Sequence, residues 1–285
     1  MKDIKISFIG IGGQKCASTW IYDILADQKE VALSRAKELD FFSNYWDRGY
    51  GWYENQFERD RLIAAKVIGE VSPSYLSDTD APARAAQYNP DMRIILTLRN
   101  PIDRAYSNHK HNIRQGFVFG DDLSFEKSLA ENPTYIEHGY YGKHLEKWLK
   151  YFPKEQILII YFEDIVANPE GVAAGVYRFL GISEDFVTAN FRKKSNESVA
   201  VANVRLALFV DGIRNYVKAS NMISWVWGLL NMLGVRAIYR LLNMREVNSK
   251  IPKMLPETRD YLASLYRSDI DLLESIVGHP LTGWR

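Results

Sequence analysis

The passage from Ile4 to Leu25 constrains this chain more than any other. An apolar run, Ile4 to Ile9, ends on Gly10, Gly12 and Gly13, and a helical pattern follows with Trp20, Ile21, Ile24 and Leu25 on one face. That reads as strand, glycine-rich loop, helix. Further short apolar runs lie at Val67 to Val71, Arg93 to Leu98 and Ile157 to Phe162. Helical patterns cover Tyr141 to Tyr151, a stretch opened by Pro169 and ending near Gly181, and a stretch opened by Pro256. Apolar strands without polar alternation, separated by helices, predict an α/β fold with a central parallel sheet flanked by helices. No internal repeat, low-complexity stretch or Pro/Gly/Ser linker divides the sequence, so one domain over residues 1–285 is expected. The segment Asn203 to Met244 stands apart as helical and unusually apolar, and reads as an insertion or lid near 203–244.

Charge and cysteine content narrow the function. Lys and Arg number 36 against 35 Asp and Glu, a formal charge of +1. An anionic ligand must then be held by a local cluster, because the global field is too weak to recruit it. The same balance argues against a general nucleic-acid binder. A single cysteine, Cys16, excludes an intramolecular disulfide and a cysteine-based zinc site. The longest apolar stretch, Met222 to Val235, is broken by Ser224, Gly228 and Asn231 and falls short of the ~20 residues that span a bilayer. The N-terminus carries no signal-peptide core. A soluble, cytoplasmic protein without a transmembrane segment is the expectation.

The loop Gly10-Ile11-Gly12-Gly13-Gln14-Lys15-Cys16-Ala17-Ser18-Thr19-Trp20 places backbone N–H groups and a helix N-terminus together, an arrangement that binds phosphate-like anions. Lys15 adds a point charge, and Ser18 and Thr19 add hydroxyl donors. A magnesium-dependent nucleotide triphosphatase would carry G-x-x-x-x-G-K-[ST]. Here Lys15 follows Gln14 and precedes Cys16, so the magnesium-binding hydroxyl is missing after the lysine. A dinucleotide fingerprint, G-x-G-x-x-G, would need glycine where Lys15 stands.

A second anion cluster begins where the run Arg93 to Leu98 meets Arg99-Asn100-Pro101. Arg99 is expected at the carboxyl edge of the sheet, where open α/β sheets bind ligands. Ser107 lies about two turns into the next helix, so an anion could sit between its hydroxyl and the planar fork of Arg99. Arg104 reads as paired or solvated.

Together these motifs resemble the sulfotransferases that use 3′-phosphoadenosine-5′-phosphosulfate (PAPS). Lys15 to Trp20 is similar to that family's K-x-G-T-T-W loop for the 5′-phosphosulfate, with Ala17 in place of Gly and Ser18 in place of Thr. Arg99 and Ser107 resemble its arginine–serine pair for the 3′-phosphate. Gly139-Tyr140-Tyr141 through Trp148 to Pro153, and Tyr161 to Asp164 with Asn168-Pro169 and Phe179-Leu180-Gly181, resemble two further stretches in the same order. The resemblance covers about residues 4–190. It implies a P-loop-like single domain, PAPS as donor, 3′-phosphoadenosine-5′-phosphate (PAP) as product, and no metal. It also implies that Lys15, Cys16, Ala17, Ser18, Thr19 and Trp20 line the donor site. Trp20 then flanks the adenine or else is a core aromatic. Phe162 stands where relatives have a tyrosine near the adenine, and Lys250 and Lys253 where relatives close a basic loop over the 3′-phosphate.

Lys37-Glu38-Leu39-Asp40-Phe41-Phe42 resembles the K-E-x-x-F-F motif of heparan-type and many bacterial sulfotransferases, in which the glutamate is the general base. A free hydroxyl is a poor nucleophile, and a positioned carboxylate can take its proton as the bond to sulfur forms. Glu38 is therefore the expected base and Lys15 the expected electrostatic catalyst. His109 and His111 are rival bases, His109 reading as an exposed side chain on a polar helix. Cys16, at a helix N-terminus beside Lys15, is expected to have a lowered thiol pKa and to be protected from alkylation by bound nucleotide. The acceptor is expected to be a carbohydrate, lipid or small-molecule alcohol, and the apolar segment could alternatively form a homodimer face. A magnesium-dependent nucleotide kinase or NTPase on the same loop is the rival function, and a non-catalytic nucleotide binder a third.

Overall fold

The computed structural model describes residues 5–115, 117–118, 122–184, 200–201, 244–245 and 251–285. β1 (Phe8–Gly10) leads into α1 (Ser18–Ala26), and β2 (Val31–Leu33) is followed by α2 (Phe41–Asn44), α3 (Gly49–Glu54) and α4 (Arg59–Leu62). β3 (Val67–Val71) precedes α5 (Ala81–Tyr88), and β4 (Arg93–Leu98) runs into α6 (Pro101–Gln115). Next come α7 (Phe125–Glu131), α8 (Thr134–Glu137) and α9 (Tyr141–Leu149), then β5 (Ile157–Tyr161), α10 (Phe162–Ala167) and α11 (Pro169–Leu180). The last helix is α12 (Pro256–Val277).

The five strands form one parallel sheet in the order β2-β3-β1-β4-β5. β1 is buried along its whole length, with Phe8 opposite Gly69 on one side and Arg93 on the other. The apolar faces of α1 (Ile21, Ile24, Leu25) and α11 (Val176, Tyr177, Leu180) share one core cluster with Phe8, Val71 and Ile95. Each such side chain contributes roughly 1.5–3 kcal/mol when fully buried. The Tyr177 hydroxyl ties the two helices by donating to the Ile24 carbonyl at 3.0 Å. α11 is delimited locally: the Asn168 side chain accepts from Gly171 N, Pro169 occupies the first turn, and Gly181 ends the helix in the left-handed conformation. α9 is fastened to α12 through Asp269, whose carboxylate accepts from Gly142 N and Lys143 N, each at 2.9 Å.

The parallel sheet and most of its elements agree with the pattern in the sequence; the differences are at their ends. β1 begins at Phe8 rather than Ile4, although Ser7 N still donates to the Ile68 carbonyl at 2.7 Å. β5 stops at Tyr161 because Phe162 opens α10. α9 ends at Leu149 rather than near Tyr151. β2 went unanticipated because its apolar run is only three residues long. Of the apolar segment 203–244, all but Met244 lies outside the described residues.

By internal contact the chain divides into two compact units. The first, Met1–Ala105, Pro133–Ser195 and Pro256–Arg285, holds the sheet. The second is Tyr106–Asn132 with Asn196–Leu255. It contains α7 and a short antiparallel pair, Ala200–Val201 with Met244–Arg245. Among the described residues no helix is long and apolar enough to cross a membrane.

Candidate active site

β1 and β4 lie side by side, yet the chain continues from β1 towards β2 on one flank and from β4 to β5 on the other. A reversal of this kind opens a crevice at the carboxyl ends of the strands, the place where open α/β sheets bind ligands. The glycine-rich loop leaves β1 at this edge, and Arg99 leaves β4.

The loop is moulded onto β4. Ile11 N donates to the Ile95 carbonyl and Gly13 N to the Thr97 carbonyl, both at 2.9 Å, and Cys16 N closes back onto the Gly13 carbonyl at 3.1 Å. A Cβ on Gly12 would stand 1.9 Å from Thr97 Oγ1 and 3.0 Å from Thr97 N, so only glycine lets the loop lie this close. The chain then turns through two left-handed residues that are not glycine, Lys15 (φ 68°) and Ala17 (φ 71°). α1 starts at Ser18 with no side-chain cap on its N-terminus. Its first N–H groups therefore form a donor surface suited to an anion. Ser18 is buried at this end, while Lys15 and Thr19 are half-buried.

Two residues of the loop face the protein interior. Trp20 is 5% exposed and belongs to the core cluster. Cys16 is fully buried, its sulfur 3.6 Å from the Tyr141 hydroxyl. Burial pushes its thiol pKa up to about 11, against the hydrogen bond from Tyr141 and the nearby charges of Arg104 and Arg99. The expectation of a lowered thiol pKa is thus overturned: removal from water outweighs the helix terminus.

The Lys-Glu motif comes to the same edge. Lys37 Nζ lies 2.6 Å from Glu38 Oε1 and 3.5 Å from Ser18 Oγ, so it bridges the carboxylate and the first residue of α1. Glu38 is exposed, and Glu38 N donates to the Val71 carbonyl at 3.2 Å. Glu38 (φ 64°) and Asp40 (φ 52°) are both left-handed. Burial raises the pKa of Asp40, opposed by the Ser74 hydroxyl, which donates to Asp40 Oδ1 at 2.5 Å.

The Arg99 guanidinium lies over the Phe162 ring, 4.5 Å from its centroid, so two residues 63 positions apart in sequence stand together. Beyond it, Asn100 caps α6 by accepting from Ile102 N at 3.0 Å. Arg104 is fully buried, with its Nη2 donating to the Tyr135 carbonyl, which corrects the solvated alternative for this side chain.

Ser107, His109 and Lys253 belong to the second unit. Ser107 is half-buried on α6 and Lys253 is exposed. Within that unit the Tyr106 hydroxyl donates to the Pro252 carbonyl at 2.8 Å, tethering the loop of Lys253 to α6. His109 is fully buried and not exposed as expected. Its Nε2 lies 3.0 Å from the Leu123 carbonyl and its ring packs on Phe125. Burial lowers its pKa. Lys250 lies outside the described residues.

One residue at this edge was not singled out from the sequence. Glu70, fully buried in β3, accepts hydrogen bonds from the Ser72, Tyr75 and Tyr53 hydroxyls. A carboxylate inside the apolar run Val-Ile-Gly-Glu-Val was the available signal.

A strand, an anion-binding loop and an uncapped helix at the switch point of a parallel sheet define a nucleotide-type α/β site. A family model described as a sulfotransferase domain matches residues 6–205, and the chain belongs to the sulfotransferase family. It is 26% identical over 301 residues to the human bifunctional heparan sulfate N-deacetylase/N-sulfotransferase 3, covering 97% of this chain and 31% of that protein. It is 29% identical over 187 residues to the human heparan sulfate glucosamine 3-O-sulfotransferase 3B1, covering 64% and 47%. The chain thus spans a third to a half of the length of these relatives. A crystal structure of a sulfotransferase from Alicyclobacillus acidocaldarius shares the fold, with a TM-score of 0.71, 22% identity, and coverage of 99% and 100%.

Proposed function

We propose that this chain transfers a sulfuryl group from PAPS to the hydroxyl of a carbohydrate-type acceptor. The observation that carries the reading is the meeting of Lys37 and Glu38 with Ser18, a carboxylate brought by its neighbouring ammonium to the N-terminus of α1, where the glycine-rich loop ends. The uncapped helix start with Lys15, Ser18 and Thr19 suits the 5′ group and Arg99 suits a phosphate monoester; the family resemblance alone assigns Ser107, Lys250 and Lys253 to the 3′-phosphate. Phe162, already under Arg99, is better placed for the adenine than Trp20, which lies in the core.

When bound, PAPS supplies a sulfuryl group on a stabilised phosphate leaving group. Glu38 takes the acceptor hydroxyl proton as the oxygen–sulfur bond forms and the bond from sulfur to the bridging phosphate oxygen breaks. Lys15 and the loop N–H groups stabilise the charge that builds on that bridging oxygen. The products are the sulfated acceptor, PAP and a proton held on Glu38. A carbohydrate acceptor is supported by the names of the matched relatives, which act on heparan sulfate. It is also supported by Tyr45 and Tyr50, exposed rings on the segment that follows Glu38.

Incubation with sulfur-labelled PAPS and separate sugar, lipid and phenolic acceptors tests this. Label is expected on the sugar. Magnesium-dependent ATP cleavage with no transfer from PAPS to any acceptor would replace this reading by the nucleotide kinase or NTPase one.

A further inference from the structure

Among the described residues, Glu70 is the only acidic side chain in the five strands of the sheet, and it has no access to solvent. The Ser72 hydroxyl donates to its Oε2 at 2.6 Å and the Tyr75 hydroxyl to its Oε1 at 2.5 Å. A hydroxyl has one proton to give and two lone pairs to offer. While Glu70 is ionised, committing both protons to it leaves both hydroxyls facing outward as acceptors. Their donors are backbone groups of the turn that follows Glu38: Asp40 N to Ser72 Oγ at 3.0 Å, and Phe41 N to the Tyr75 oxygen at 2.8 Å.

That turn needs such support. Glu38 and Asp40 are non-glycine residues in the left-handed region, a conformation that persists only where the surroundings over-determine it. The Val71 carbonyl holds Glu38 N, and the Ser72 and Tyr75 hydroxyls hold the next two donors along the chain after Leu39. The segment 70–75 is therefore a template for the turn, and Glu70 sets its hydrogen-bond polarity.

We propose that Glu70 is a positioning residue for Glu38, acting through Ser72 and Tyr75 to hold the turn 38–41 so that the carboxylate of Glu38 faces the loop at Ser18. The inference rests on the reading of Glu38 as the base. A glutamine at position 70 keeps the shape but presents an N–H to one of the two hydroxyls. That hydroxyl must then turn its proton towards Asp40 N or Phe41 N, and the bond to the turn is lost.

The test uses the full chain as Glu70→Gln, Glu38→Gln and the double variant, with Tyr75→Phe and Ser72→Ala as milder breaks should Glu70→Gln fail to fold. Turnover is measured with labelled PAPS and a desulfated heparan oligosaccharide, PAP binding by calorimetry, and amide exchange by mass spectrometry and NMR. Glu70→Gln is expected to speed exchange at Asp40 and Phe41 by ~10-fold or more while residues 94–98 keep their protection. It should lower kcat by ~10-fold or more and leave the PAP Kd within about threefold. In the Glu38→Gln background it should cost nothing further, because residues acting through one group are not additive. Full turnover in Glu70→Gln beside an inactive Glu38→Gln overturns this inference alone. So does unchanged exchange at Asp40 and Phe41, or a further multiplicative loss in the double variant. Full turnover in Glu38→Gln removes the base assignment and this inference with it.

Discussion

The two turns that build the site make the same unusual move by different means. The glycine-rich loop carries left-handed Lys15 and Ala17, and the turn of Glu38, the proposed base, carries left-handed Glu38 and Asp40, in each case two residues apart and none of them glycine. The loop is held by main chain and by burial: Gly12 and Gly13 lie against β4, and Cys16 is sunk into the interior. The turn is held by polar side chains, with Glu70 at the root and Ser72 and Tyr75 as intermediaries. Main-chain contacts and apolar burial survive most polar substitutions nearby. A buried polar network fails when a single member is changed, because the partner left behind is unsatisfied. The glycine-rich loop, the proposed donor site, is thus the rugged half, and the turn of Glu38, the proposed base, the fragile half.

Activity should separate the halves most widely. Glu38→Gln is expected to lower turnover by ~10²-fold or more while PAP binding stays nearly intact. Lys15→Ala should also lower it ~10²-fold or more. Arg99→Ala should instead weaken PAP binding. Steady-state kinetics with labelled PAPS, beside calorimetric PAP titrations, read both quantities. Equal loss of PAP binding in Glu38→Gln and Arg99→Ala would erase the distinction between the two halves.

The root of the fragile half has a pH signature. Burial raises the Glu70 pKa to about 7, outweighing the hydrogen bonds from Ser72 and Tyr75 that lower it. An acid whose folded pKa lies above its unfolded value of 4.5 binds more protons folded than unfolded between the two. Its contribution to stability is complete below pH 4.5 and is lost as pH rises through 7. The shift corresponds to about 3 kcal/mol. Denaturant unfolding between pH 4.5 and 8 should show the wild type losing about that much relative to Glu70→Gln. A constant difference across this range would mean that Glu70 ionises as it does in water.

How far each half could be read from the sequence follows from the same contrast. β4 and β5 were legible because apolar runs such as Ile-Leu-Ile-Ile leave few alternatives, and β3 despite Glu70 inside it, whereas Val31 to Leu33 is too short to stand out. Lys15, Arg99 and Glu38 were legible as charged groups at the ends of elements in a recognisable order. Glu70 was not, because its partners come from Tyr53 and from the turn beyond its own strand, and only the fold brings them together. Left-handed backbone at Lys15, Glu38 and Asp40 leaves no mark in residue type, since none is glycine. Cys16 and His109 were misread for one reason: position on an element says nothing of the layers that cover it. Burial reverses the helix-terminus argument made for Cys16, and it removes His109 from the solvent in which it was expected.

Cys16 turns that correction into a test of the rugged half. With a thiol pKa near 11 and no access to solvent, it should react with iodoacetamide at pH 7.5 at least ~10²-fold more slowly than a free cysteine. The slow rate should hold with or without PAP, because the interior and not the nucleotide shields the sulfur. Rapid labelling that PAP suppresses would show that the loop opens in the absence of ligand and is not rugged.

The smallest effect concerns Ala17, which stands where the resembling motif has glycine. Its backbone is left-handed (φ 71°, ψ 25°), a conformation that costs an L-residue roughly 1–2 kcal/mol and costs glycine nothing. Glycine gives some of that back through the greater freedom of its unfolded chain. Ala17→Gly should therefore raise stability by about 0.5–1 kcal/mol in denaturant unfolding, with turnover unchanged within about twofold. A loss of stability would mean that the Ala17 methyl, which packs against the core cluster, contributes more than the backbone strain removes. The loop would then be held by its side chains as the base-bearing turn is, and the contrast between the two would shrink to which atoms do the holding.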